Sequence, residues 1–168
     1  MHTFLYRTNS LLTFVASVLV VLCILASITD YFHRDSAVVA VDIVQVDRFQ
    51  VSQAGNDEAF LAFNISADLR SVFTWNTKQL FVFLAVEYAT PENAVNQVSV
   101  WDRIIERRED ALIALPRVQN KYRLVDQGRN MRGRDLNLTM YWNAMPKSGR
   151  IYTGQKTLTG YRLPDTYS

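Results

Sequence analysis

Cysteine is nearly missing from this chain: the one thiol, Cys23, lies in an uncharged apolar run and has no second cysteine to pair with. A disulfide framework is therefore excluded, and so is a zinc site built on thiolates. Histidine is almost as scarce. His2 stands at the start and His33 just after the apolar run, so residues 34–168 contain no imidazole. Without one, that stretch cannot assemble a Ser-His-Asp or Cys-His site. The acids are scattered without calcium-loop spacing, and Gly128 and Gly133 lack the lysine and following helix of a phosphate-cradling loop. Charge of one sign is missing too. The 18 Lys and Arg are set against 16 Asp and Glu, and a net of +2 indicates no nucleic acid or other acidic polymer as partner. No repeat, low-complexity tract or Gly/Ser linker interrupts the chain. These absences leave no metal, no cofactor and no catalytic constellation to argue for, apart from a Ser–Lys dyad. Lys78, Lys121, Lys147 and Lys156 are its available bases, and each falls at a turn or strand end, where a solvated lysine is the ordinary state.

What the chain does have is residues 11–28, LLTFVASVLVVLCILASI, eighteen residues without a charge. As a helix they span roughly 27 Å, close to the hydrocarbon thickness of an endoplasmic-reticulum bilayer. Phe4 and Tyr6 precede the run and Tyr31 and Phe32 follow it, as interfacial aromatics do. The alternative is a cleavable signal peptide. Its apolar core is usually shorter, and the exit here, residues 26–30, offers poor versions of a small-x-small cleavage site. The expectation is a retained signal-anchor over residues 11–32. Arg7 and no acid lie on its N-terminal side, against Asp30, Arg34 and Asp35 beyond it. The positive-inside rule then puts residues 1–10 in the cytosol and residues 33–168 in the lumen, a single-pass type II arrangement. Residues 33–168 suffice for one domain, held without disulfides by apolar packing alone.

That domain reads as β throughout. Residues 38–46 are β-branched, and their apolar set changes phase after Ile43, which predicts a bulge in a first strand. Residues 54–57 read as a hairpin turn. Residues 60–67 alternate, with Leu61, Phe63 and Ile65 on one face and Asn64 and Ser66 on the other. A short helical turn is expected over 68–75, then a strand over 78–88 apolar on both faces, placed mid-sheet. Residues 96–105 suit a strand, with a short helix as the alternative; 106–110 are a solvated charge run. Strands follow at 113–115, ending at Pro116, and at 121–126. Residues 135–142 have a clean period of two, with Leu136, Leu138, Met140 and Trp142 inward and Asp135, Asn137, Thr139 and Tyr141 outward. A last strand covers 151–163. Seven or eight short strands with little helix predict a single antiparallel β-sandwich.

Some features remain beside the framework. Arg129, Arg132 and Arg134 form a basic loop, read as solvated, with lipid headgroups or an acidic partner as the alternative. Trp75, Trp101 and Trp142 are expected in the core. Two N-x-S/T sequons, at Asn64 and Asn137, lie in the part placed in the lumen, both on outward faces. Asn137 ranks first, because its sequon ends in Thr and Asn64 lies between apolar neighbours. A membrane-anchored glycosyltransferase would need a larger domain and an acidic metal motif. A tethered carbohydrate-binding module would need an open aromatic cleft.

Several blocks of sequence resemble one family. They are R-x-N-S at Arg7, Asn9 and Ser10; FNISADL at 63–69; FTWNTKQLF at 73–81; EYAT at 87–90; NQVSVWDRI at 96–104; YWN at 141–143; and PDTY at 164–167, with the sequon at Asn137. Together they resemble the 22/23-kDa accessory-subunit family of the eukaryotic signal peptidase complex over essentially the whole chain. Residues 106–118 and 147–163 match loosely. The resemblance implies a non-catalytic subunit of the endoplasmic-reticulum protease that removes signal peptides. Its partners would be the catalytic serine-protease subunit, the other small subunits, membrane lipids and, indirectly, nascent secretory precursors. The interface expected from it involves exposed aromatics and the edge at Lys78 and Gln79.

Overall fold

A computed structural model of the chain describes residues 3–168; His2 lies outside the described residues. One helix, α1 (Phe4–Tyr31), is followed by eight strands. These are β1 (Val38–Val51), β2 (Asp57–Asp68), β3 (Thr77–Tyr88), β4 (Asn96–Ile105), β5 (Leu112–Gln119), β6 (Leu124–Val125), β7 (Asp135–Pro146) and β8 (Tyr152–Arg162).

The helix starts inside the stretch read as a tail: residues 4–10 are helical and continuous with the apolar run that follows. At 28 residues it measures about 42 Å, long and apolar enough to cross a membrane. Its hydroxyls stay inside the helix: Thr13 donates to the Asn9 carbonyl at 2.9 Å and Ser17 to the Thr13 carbonyl at 2.8 Å. No hydroxyl of that pair is left to be satisfied by hydrocarbon.

The strands form two antiparallel four-stranded sheets. One has the order β1-β2-β5, with β6 also on β2; the other is β4-β3-β7-β8. The three tight hairpins, β1–β2, β3–β4 and β7–β8, stay within a sheet. The chain crosses between sheets through a 3₁₀ turn at Arg70–Val72, another at Arg108–Ala111, and the loop after β6. Inward residues of both sheets merge into one core, in which Leu61, Phe63 and Ile65 meet Leu80, Val82, Leu84, Leu136, Leu138 and Met140. Fully burying each aliphatic side chain is worth about 1.5–3 kcal/mol, and this substitutes for the absent disulfides.

Most strand expectations hold, the bulge included: the β1–β2 register slips between Ile43 and Gln45, and again between Val46 and Arg48. The reading of residues 121–126 as a strand reduces to the two residues of β6. Pro116 does not end β5. The strand is an edge, and at Pro116 and Arg117 it bulges, with the Arg117 amide donating to the Asn64 side-chain oxygen at 2.9 Å. An edge strand at a bulge needs no ladder donor from proline. β3 lies mid-sheet as expected, yet its outer face is half-buried rather than covered. Phe81 and Phe83 stand there, Phe83 stacked on Tyr141 at 4.9 Å.

Candidate functional site at the junction of anchor and domain

The last turn of α1 runs directly into polar contacts with the base of the sandwich. Asp30, 7% exposed, accepts from the Thr74 hydroxyl at 2.9 Å and from the Asn76 amide at 2.6 Å. Among the described residues no cation pairs with it. Neutral donors alone satisfy its carboxyl, and losing either leaves a largely buried group short of a partner. Asn76 holds more than Asp30. Its amide also donates to the Ser148 carbonyl at 2.7 Å, its side-chain oxygen accepts from the Ser148 amide at 3.2 Å, and its carbonyl accepts from the Lys147 amide at 2.7 Å. One asparagine thus ties helix end, β2–β3 connection and β7–β8 turn together.

The linker after the helix is fastened in the same way. The His33 ring donates through Nε2 to the Ser71 carbonyl at 2.7 Å, and the Ser36 amide donates to the Ser71 hydroxyl at 3.1 Å. Ser71 is presented by the 3₁₀ turn, whose shape is set by Arg70 forking onto Asp68 at 2.9 and 2.7 Å. The same fork holds the Asp68 carboxyl down at about 2. The Trp142 indole donates to Asp35 at 3.2 Å. That indole lies flat across Gly154 on the neighbouring strand, where any Cβ would collide with the ring. The Tyr152 hydroxyl reaches the Ser27 carbonyl at 3.4 Å. Between these groups is a cavity of about 170 Å³ lined by Asp30, His33, Asp35, Thr74, Trp142 and Tyr152 among others. The arrangement fixes the angle and height of the domain on its helix.

Of the candidate lysines, two have partners that are not serines. Lys121 pairs with Asp102 at 2.6 Å, which raises its pKa, and Lys147 donates to the Trp75 carbonyl at 3.4 Å. Among the described residues no lysine hydrogen-bonds a serine hydroxyl, and no group of His, Cys, Asp and Glu is placed to hold a metal. Trp101 and Trp142 are buried as expected. Trp75 is not: it stands 66% exposed beside the anchor, a correction to its reading as core. The basic loop is at the other end of the sandwich, which disfavours lipid contact there. Arg129 donates to the Gly55 carbonyl at 2.9 Å, Arg134 donates to the Asn130 carbonyl at 3.0 Å, and Arg132 lies over the Tyr167 ring.

Both sequon asparagines are exposed, on outer faces. Asn137 pairs across from Glu87 on β3, roughly 30 Å of strand from the junction. Its partner Thr139 is on the outer face but fully buried, contrary to its reading as exposed. The Tyr141 hydroxyl reaches two rows along the sheet to Glu87 at 2.9 Å, so its ring lies over the intervening row of Ala85 and Thr139. Asn64 faces the bulge of β5, and Ser66 is exposed.

Sequence reasoning treated Asp30 only as a charge beyond the membrane. The available signal was the polar Thr74, Asn76 and Thr77 set around Trp75, three small hydrogen-bonding residues before a strongly apolar strand. A family model described as signal peptidase subunit matches residues 1–166. The chain belongs to this family. It is 39% identical to the signal peptidase complex subunit 3 of Gallus gallus, covering 99% of this chain and 97% of that protein. The Homo sapiens protein of the same name is 37% identical with the same coverage. The Drosophila melanogaster one is 34% identical over 94% of this chain and 91% of its own length. As a family member the chain has a fold of one apolar N-terminal helix and antiparallel sheets.

Proposed function

We propose that this chain is a non-catalytic accessory subunit of the signal peptidase complex of the endoplasmic-reticulum membrane. In this reading residues 1–10 begin in the cytosol, α1 crosses the bilayer, and the sandwich stands in the lumen. It supports removal of signal peptides from nascent secretory and membrane proteins by packing on the catalytic serine-protease subunit and positioning it. The observation that carries the reading is the family match, which runs over nearly the whole chain. The type II orientation is supported by Arg7 without an acid on one side of the uncharged run 11–28, and Asp30, Arg34 and Asp35 on the other.

The junction gives the proposal its mechanism. A domain clamped to its anchor through Asp30 and Asn76 keeps a fixed height above the bilayer. A protease domain resting on it gains effective concentration and a set distance to emerging cleavage sites, without any reactive group from this chain. Precursors meet this subunit only indirectly. Asn137 and Asn64 are the acceptors for N-linked glycans; Asn137, at the membrane-distal end, is the main one. Purification of the tagged full chain from membranes in mild detergent tests the assignment. A small serine-protease subunit co-purifies in near-equal amount; its absence would refute the reading.

A further inference from the structure

The turn between β7 and β8 has a surface that the positioning role does not use. Its sequence is Lys147-Ser148-Gly149-Arg150-Ile151, with both bases exposed and Ile151 54% exposed. Trp75 adjoins it, joined through the two bonds from Lys147 to the Asn76 and Trp75 carbonyls. An exposed indole and isoleucine flanked by exposed bases suit a bilayer interface, where rings and bases are enriched.

The depth of the turn points the same way. Gly149 has φ +110, and a Cβ built on it would lie 2.8 Å from the Ser27 hydroxyl. Ser148 and Gly149 share a shallow, mainly apolar groove with Cys23, Ile24 and Ser27. The tip of the turn is therefore level with the final turn of the apolar run, which ends at Ile28. Tyr31 and Phe32 are about 6–8 Å farther along the axis. Any bilayer that accommodates residues 11–28 places this turn in its headgroup layer. Charge agrees: Arg34, Lys78, Lys147 and Arg150 are all exposed around it. The neighbouring acids, Asp30 and Asp35, already accept hydrogen bonds from Thr74, Asn76 and Trp142.

We propose that the β7–β8 turn together with Trp75 is a second membrane contact, seated among lipid headgroups beside the anchor. Ile151 and Trp75 enter the interfacial region, and Lys147 and Arg150 meet the phosphates. With two points of contact the domain can neither tilt nor swivel on a single helix. This inference rests on α1 spanning the bilayer, not on membership of the complex.

The test uses the full chain in phosphatidylcholine–phosphatidylserine vesicles with an environment-sensitive fluorophore at one cysteine at a time. Three positions are compared: native Cys23 in the span, Ile151→Cys in a Cys23→Ser background, and Ala54→Cys in the same background, at the exposed distal hairpin. Nitroxide-bearing lipids should quench the label at 151 several-fold more than at 54, and aqueous iodide should reach it several-fold less. If the label at 151 behaves like the one at 54 while Cys23 is quenched from the lipid, the second contact is refuted and the span stands. If Cys23 also escapes lipid quenching, the spanning reading falls and takes this inference with it.

Discussion

At the end of the sandwich nearest the anchor a single carboxylate, Asp30, is shared by Thr74 and Asn76. At the far end two carboxylates, Asp57 and Asp126, are buried together. Asp57 accepts from the Tyr167 hydroxyl at 2.7 Å and the Met131 amide at 3.0 Å. Asp126 accepts from the Tyr88 hydroxyl at 2.8 Å and from the amides of Gly128 and Asn130. Among the described residues none of these three carboxylates has an ion pair, and neutral donors satisfy each of them. The difference is in what is joined. The distal pair closes loop 127–131 and the C-terminal segment onto the domain itself, where Ser168 also exchanges backbone bonds with Phe49 on β1. The proximal carboxylate joins the domain to something outside it. The first is a requirement of folding, the second a requirement of position.

Asp126→Ala should break the domain. It leaves the Tyr88 hydroxyl and two amides without their acceptor and costs about 3 kcal/mol or more, read as a lower midpoint in denaturant. Tyr88→Phe removes one bond of that set and should cost about 1 kcal/mol at neutral pH. It should also change the alkaline limb. Burial, then the bond to Asp126, pushes the Tyr88 phenol above its ordinary range. A phenol kept neutral in the fold contributes fully below the unfolded value of about 10 and loses that contribution as pH rises beyond it. Wild type should therefore lose stability above that pH more steeply than Tyr88→Phe.

Asp30→Ala should do the opposite of Asp126→Ala. Domain stability should move by less than about 1 kcal/mol, because the Asn76–Ser148 and Thr74–Thr77 bonds remain inside the domain. Limited proteolysis should instead accelerate within residues 32–37, as the helix end comes away. A cooperative loss of domain stability in this variant would erase the distinction between the two ends. Asn137→Gln should have the smallest effect, within roughly 0.5 kcal/mol, while abolishing most of a glycosidase-sensitive gel shift that Asn64→Gln leaves largely intact.

How far the sequence discloses this depends on period. The anchor, the alternation of β7 and the slip after Ile43 are all repeats of one side-chain property, so they read directly from the chain. The contacts at both ends are not periodic. Asp30 and Asn76 are 46 residues apart, and Asp57 and Tyr167 are 110 apart. No local pattern marks a carboxylate as buried when its donors are neutral and distant. Trp75 misled for a related reason. Its neighbours resemble the start of a core strand, but β3 begins only at Thr77, and Trp75 stands in the connection before it, outside the alternation that buries a strand residue. Thr139 is hidden between the Tyr141 side chain and Thr157 of β8, whose hydroxyl it meets at 3.1 Å, which alternation alone does not anticipate.

In the proposed role the chain positions catalysis without performing it. Cleavage of a secretory precursor in reconstituted membranes tests this directly. The purified chain alone should leave the precursor intact, membranes depleted of it should accumulate uncleaved precursor, and adding back the full chain should restore processing. Signal-peptide cleavage by this chain in isolation would contradict the account.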